Sequence, residues 1–383
     1  MTARSLAFAA IVVTTACAAR PVTEPPEPAA VPSASPEPPA PVIAAAPEPT
    51  PPDAPPATPR DPSAPLDPEQ RRVFLDSPQD EPAETRGGVT TELIDKQYLA
   101  GNERTLQIFE PVVRGLGGGY VGVGSDQAYL FIGWARPEFA WLIDYDADVV
   151  AIHAVYKIFF QEAETPEAFL TFWTKDGRDA GKAALARHLE GDALKAQTRL
   201  YLRYRGWIHR RLAYLKRQLA EAEVTSFLTD LESYQHIQAM LAAGRIRPMV
   251  ADLNGDRGVV GIAAAAQKLG VPIRLLYLSN AEEYWTRYSE GFRANLKALP
   301  FDERSQVVRT LLTWAKNQDY VYNAQGAQNF LEWLAHPDIK NVYDIAHARP
   351  RVDPEVINYF VVDTEPEASP AARKAARRRG EDS

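Results

Sequence analysis

Glycines recur at Gly119, Gly122 and Gly124 in the run Gly119-Tyr120-Val121-Gly122-Val123-Gly124, and an acid, Asp144, stands twenty residues beyond the last of them. A glycine-rich turn after a strand lets a nucleotide approach the backbone, and an acid at the tip of the next strand accepts hydrogen bonds from ribose hydroxyls. Asp126 follows the glycines at once. With Gln127 it either faces the same cleft or starts the next helix. Asp252 opens Asp252-Leu253-Asn254-Gly255-Asp256, a segment that suits adenine, a cation or simply a turn. The candidate cofactor-binding residues are therefore Gly119, Gly122, Gly124, Asp126, Asp144 and Asp252.

A second constellation, Ser279-Asn280-Ala281-Glu282-Glu283-Tyr284, falls where a strand should pass into a helix. Open α/β sheets place ligands at that carboxyl edge. Asn280 there suits a substrate amide or hydroxyl, and Glu282 suits a general base. These are the candidate catalytic residues. Helix capping accounts for the same residues, because Asn280 and Glu283 stand at the spacing of a capping box.

Other chemistries lack their signatures. There is no G-x-x-x-x-G-K-[ST] loop, no H-E-x-x-H helix and no G-x-S-x-G elbow. Six scattered histidines and a single cysteine provide neither a Cys/His metal site nor an intrachain disulfide. A net charge of −8 argues against nucleic acid as a partner.

The elements that must position these residues follow from periodicity. Helices are expected over about Glu103 to Gly115 and Ala128 to Arg136, and a helix start at Thr90-Thr91. Strands are expected over Gly117 to Gly124 and Phe139 to Asp144. A long helical stretch runs from about Val149 to Ala243. Within it Tyr201, Tyr204, Ile208, Leu212, Leu215 and Leu219 form a core stripe. Arg203, Arg205, Arg210, Arg211 and Arg217 suit either a solvated helix face or an anionic lipid surface. Alternation resumes with strands over Ile246 to Asp252 and Pro272 to Leu278, and helices over Val259 to Leu269 and Ala281 to Leu296. Late strands are expected at Val307 to Leu312 and Val356 to Val362. The pattern implies an α/β, Rossmann-like fold: a mostly parallel sheet with helices on both faces and a large helical insertion between the second and third strands.

Flanking segments have a different character. Nineteen of the 32 prolines lie between Pro21 and Pro68, among Ala, Glu, Ser and Thr. Such a chain buries too little apolar surface to offset the entropy of ordering. As polyproline II it would span roughly 150 Å at about 3.1 Å per residue. Before it, Arg4 and the apolar run Leu6 to Val13 read as a secretory signal, too short to span a bilayer. The expected organisation is a signal over 1–16, a proline-rich disordered tether over 17–68, one domain over 69–363 (insertion 149–243), and a disordered basic tail over 364–383.

Two resemblances add to this. Thr14-Thr15-Ala16-Cys17 resembles the bacterial lipobox, with Thr14 where Leu is usual. It implies lipidation of Cys17, a membrane partner through that lipid, and an envelope location. Ala18 resembles the residue found in lipoproteins sent to the outer membrane, whereas cleavage after Ala18 would leave a secreted protein. The segment Gly117 to Asp144, and more loosely Ile246 to Leu278, resembles the S-adenosylmethionine-dependent methyltransferases. That similarity implies S-adenosylmethionine as cofactor, with Gly122 and Gly124 at the methionine moiety, Asp144 at the ribose and Asp252 near the adenine. No acid precedes the glycines here, where that superfamily usually has one. The runs Gly119 to Gln127 and Leu276 to Tyr284 look like a family of uncharacterised bacterial proteins. Two readings result: an exported, lipid-anchored protein whose cleft binds a small molecule or envelope partner, or a methyltransferase. Export favours the first, because S-adenosylmethionine is made in the cytoplasm.

Overall fold

The computed structural model describes residues 61–87, 94, 96–312, 319–346 and 359–379. Cys17, the signal, most of the tether and the helix start at Thr90 lie outside the described residues.

Seven strands form one sheet: β1 Gly119–Val123, β2 Phe139–Asp144, β3 Ile246–Val250, β4 Ile273–Tyr277, β5 Gln306–Leu312, β6 Tyr320–Gly326 and β7 Tyr359–Val362. Their order is β3-β2-β1-β4-β5-β6-β7. Strands β1 to β5 pair in parallel, β6 is antiparallel to β5, and β7 is parallel to β6. The chain winds outward from β1 to β3, then crosses to β4 on the other side of β1. Strand order therefore reverses between β1 and β4, and in open α/β sheets that crevice is the ligand site.

Helices cover both faces, and strand side chains alternate between them. Tyr120, Ala140 and Leu142 enter one apolar core, while Val121, Phe139, Trp141 and Ile143 enter the other. The helices are α1 Pro68–Leu75, α2 Glu110–Val113, α3 Asp126–Ala135, α4 Ala147–Glu162, α5 Pro166–Trp173, α6 Arg178–His188, α7 Gly191–Glu221, α8 Leu231–Ala242, α9 Gly258–Leu269, α10 Glu290–Ala298, α11 Ala327–Ala335, α12 Val342–Ala346 and α13 Pro370–Arg379. Every residue of α3 is buried, because it lies between the sheet and the helices α4 to α8.

Those five helices are the expected insertion between β2 and β3. The 31-residue α7 carries the stripe at three- and four-residue spacing, all of it buried. Side-chain caps start its neighbours: Asp146 accepts from Asp148 N, Thr165 from Ala168 N and Asp230 from Ser233 N. Arg211, read as part of a charged outer face, is buried on α7 at 6% exposure.

Two further expectations are corrected, and one strand, β6, was not expected at all. The helix over Ala281 to Leu296 is broken into a 3-10 turn, Ala281–Tyr284, and α10. Between them Tyr288 is pinned, its N–H donating to Lys340 O and its hydroxyl to Glu282. β6 escaped the apolar pattern because it buries Asn323 and Gln325, polar groups satisfied within the fold. The segment read as a disordered basic tail contains α13, where Ser369 Oγ donates to Asp344 O and Arg379 pairs with Asp338. Among the described residues, no helix is long and apolar enough to cross a membrane.

Candidate functional site

A cleft of about 550 Å³ opens at the carboxyl ends of β1 to β4. Gly124, Asp144, Asp252 and Asn280 line it, each from the tip of a different strand. Residues 83–87 and 96–103 form the opposite wall. That wall is tied to strand tips: Asp80 N donates to Val250 O, Ala83 N to Tyr145 O, and the Asp80 carboxylate accepts Asp252 N at 2.9 Å.

Gly124 is the glycine the site needs. Its φ is +97°, and a Cβ there would collide with the Gln127 amide. Its N–H donates to Ile143 O at 3.1 Å, joining the β1 tip to β2 beside Asp144. Its carbonyl lies 3.2 Å from His153 Nε2, while Tyr129 Oη lies 2.9 Å from Nδ1. A carbonyl only accepts, so Nε2 carries the proton and Tyr129 donates to Nδ1. Burial pushes the His153 pKa down to about 4, and the ring is neutral.

Gly119 and Gly122 serve packing. Gly119 sits at the far end of β1, where a Cβ would press within 2.7 Å of Ile273 Cδ1. Gly122 makes room for the Tyr120 ring, which lies over it. Neither lines the cleft. Asp126 is fully buried beneath it, accepting from Gly101 N at 2.5 Å and Arg211 Nε at 2.9 Å.

Asp144 is half-buried at the tip of β2 and accepts from Asp146 N at 2.9 Å. Burial, aided by the nearby Asp146 charge, pushes its pKa up to about 7 against the pull of the Asp146 N–H. Asp146 is turned away from it, capping α4 and paired with Arg86. Asp252 receives Asn254 N at 2.8 Å, so the turn forms and its carboxylate still borders the cleft. Among the described residues, no cluster of three or more His, Cys, Asp or Glu side chains could hold a metal ion.

Of the catalytic candidates, Asn280 lines the cleft and Glu282 does not. The expected side-chain cap by Asn280 is absent, and its Nδ2 instead meets Glu283 Oε2 at 3.3 Å. Glu282 is 1% exposed, 3.1 Å from Arg309 Nε and bonded by Tyr288 at 2.6 Å. A general base needs access to its substrate. The turn after β4 points Glu282 into the core, where it closes a buried ion pair.

Several cleft residues escaped sequence reasoning. Glu103, 2% exposed, lines the floor and accepts from Tyr277 Oη at 2.7 Å and Ser279 Oγ at 2.9 Å. Ser279 holds φ +51°, a left-handed conformation uncommon for serine and costly enough to mark a constrained site. Tyr98, Tyr145, Tyr284, Trp285 and Tyr320 give the cleft an aromatic lining. No short motif joins these residues; the topology brings them together.

Fold and cleft together define an α/β protein of Rossmann-like architecture with a ligand-sized cleft at its carboxyl edge. The chain belongs to the family described as a domain of unknown function (DUF7790), whose model matches residues 98–358. The matched span begins at the Tyr98 wall of the cleft and includes the whole helical insertion. No curated protein matches the sequence.

Proposed function

We propose that this is an exported envelope protein, anchored through a lipidated Cys17, whose domain binds a small molecule carrying a vicinal diol, of nucleoside type. The observation that carries the binding reading is the pairing of Gly124 with Asp144 at adjacent strand tips of the cleft. A carboxylate disfavoured by burial gains most from donors that restore its lost solvation. Two neighbouring hydroxyls are such donors, and the open glycine turn leaves room for the group attached to them. The aromatic lining suits a planar base. Export rests on the apolar run Leu6 to Val13, and anchoring on Thr15-Ala16-Cys17. Outer-membrane placement follows from Ala18, with release as a secreted protein the alternative.

Strand order favours a second reading, methyl transfer from S-adenosylmethionine. The order β3-β2-β1-β4-β5, followed by an antiparallel strand, suits that superfamily. Against it, Tyr120 and not an acid precedes Gly122 in β1, and the proposed location separates the domain from the cofactor's source.

Two experiments test the proposal. Metabolic labelling with a fatty-acid probe should mark the full chain and not its Cys17→Ser variant; label on that variant contradicts the anchor. Calorimetry should detect adenosine binding that Asp144→Ala removes. Binding of S-adenosylmethionine with transfer of its methyl group would establish the second reading.

A further inference from the structure

The carboxyl-terminal helix α13 carries a charge pattern that the cleft does not explain. Five of the seven residues from Arg373 to Arg379 are cationic, in a chain whose net charge is −8. The helix itself contains no acid. Its residues divide between two faces at helical spacing. Ala372 and Arg379, seven apart, face the domain: Ala372 is buried, and Arg379 pairs with Asp338 at 2.9 Å. Ser369 holds the start of the helix, its hydroxyl donating to Asp344 O and accepting from Ala371 N. Arg373, Lys374, Arg377 and Arg378 occupy the other face. All four are exposed, and with Pro370 they line one solvent-facing hollow.

Helix stability does not account for that face. Cations in the last turn favour the helix dipole, but Arg373 stands in the first turn, where the dipole opposes it. Arg373 with Arg377, and Lys374 with Arg378, are like charges four residues apart, which destabilise a helix. A cationic stripe kept together against these repulsions, on a helix docked to the domain, suits a partner of extended negative charge. The opposite face is packed on the domain, so α13 has no large apolar side chain to insert into a bilayer, and its attraction to one is electrostatic. Ala64, near the start of the domain, is held beside β3 by Arg245 Nε, at one edge of the sheet. α13 follows β7, the strand at the other edge. We propose that the face formed by Arg373, Lys374, Arg377 and Arg378 docks the domain on an anionic phospholipid surface. This goes beyond the cleft reading and uses the proposed Cys17 anchor only to bring a bilayer within reach. One attachment at the β3 edge leaves the domain free to turn; a second at the β7 edge fixes which way it lies.

The test is co-sedimentation of the full chain, as the unlipidated Cys17→Ser variant, with phosphatidylcholine vesicles made with and without phosphatidylglycerol. The anionic vesicles should bind it at least about tenfold more tightly, since each cation near such a surface adds to the attraction. Molar salt should erase that ratio, because charges are then screened beyond about 3 Å. Charge reversal on the exposed face, Lys374→Glu/Arg378→Glu, should bring the ratio toward one without lowering the melting temperature. Arg203→Gln/Arg210→Gln, at exposed arginines of α7, should leave the ratio as it is. The apolar run Leu6 to Val13 acts on both vesicle types alike, so the ratio excludes it. Equal binding to both vesicle types overturns the proposal, as does a ratio that survives the charge reversal or falls equally with the α7 pair. Retention on heparin without binding to the anionic vesicles also overturns it, and would give the face to a soluble polyanion. Because the variant carries no lipid, none of these outcomes bears on the anchor, which the fatty-acid label decides.

Discussion

Arg211 Nε lies 2.9 Å from Asp126 Oδ2, and both side chains are sealed from solvent. The contact joins the middle of α7, inside the insertion, to the first turn of α3, which leaves the glycine turn of β1. The insertion is therefore part of the site's support. It acts a second time through Tyr204, whose hydroxyl donates at 2.6 Å to Gln97, itself bonded to Asp148 at the start of α4.

Removing one partner of a buried pair leaves the other charge uncompensated. Arg211→Met should destabilise the domain by about 3–5 kcal/mol in urea unfolding. The double variant Asp126→Asn/Arg211→Met should recover part of that loss. A single variant as stable as the natural chain would show that the pair does not hold the turn.

His153 bridges Tyr129 and Gly124, and its replacement leaves both without a partner. His153→Phe should cost about 1–3 kcal/mol for each buried group left unsatisfied. Because the folded ring has its pKa near 4, below the ordinary 6.5, the unfolded chain binds the extra proton. The His153 contribution is complete above about 6.5 and is lost as pH falls toward 4. Unfolding followed from pH 7 to pH 4 should therefore show a shallower acid loss in the variant.

Asp144 has the opposite sign. Its folded pKa of about 7 lies above the ordinary 3.8, so the folded state holds the proton more tightly than the unfolded chain. Its contribution is complete below about 4, falls as pH rises to about 7, and stays lost above. Asp144→Asn removes that loss. The melting temperature of the variant relative to the natural chain should rise by several degrees between pH 5 and pH 7 and level off above, the two pH units being worth up to about 3 kcal/mol. A difference independent of pH would show that Asp144 is not desolvated. Between pH 4 and 6.5 the two residues oppose each other, so the natural chain should hide what the variants separate.

Gly124→Ala meets two obstacles, a φ of +97° and the Gln127 amide in the space of its Cβ. A loss of about 1–3 kcal/mol in denaturant unfolding is expected from the backbone strain. Gly115→Ala is a control for strain alone, since its φ is +63° and a Cβ there meets nothing within 4 Å. Adenosine binding should survive at Gly115 and weaken at Gly124.

The sheet was legible wherever strands were short, apolar and punctuated. β1, β2, β3 and β4 announced themselves through Gly124, Asp144, Asp252 and Ser279 at their ends. β6 was not legible because Asn323 and Gln325 look exposed in sequence, yet the sheet buries them and Val321, Asn329 and Arg309 satisfy them. The same limit applied to the site. Gly124, Asp144, Asp252 and Asn280 follow strand tips and could be read locally. Glu103 was expected to open a helix, but the helical turns begin only at Leu106, and its meeting with Ser279, 176 residues on, exists only in the fold. Glu282 and Arg211 erred in opposite senses, an acid expected in the cleft and a cation expected outside, each drawn into a buried pair.

The measurement closest to the central claim is a calorimetric titration of adenosine into the full chain and its Asp144→Ala variant. Saturable binding at millimolar ligand or below, lost in the variant, is the predicted result. Heat that is absent from both proteins, or identical in both, would contradict the account.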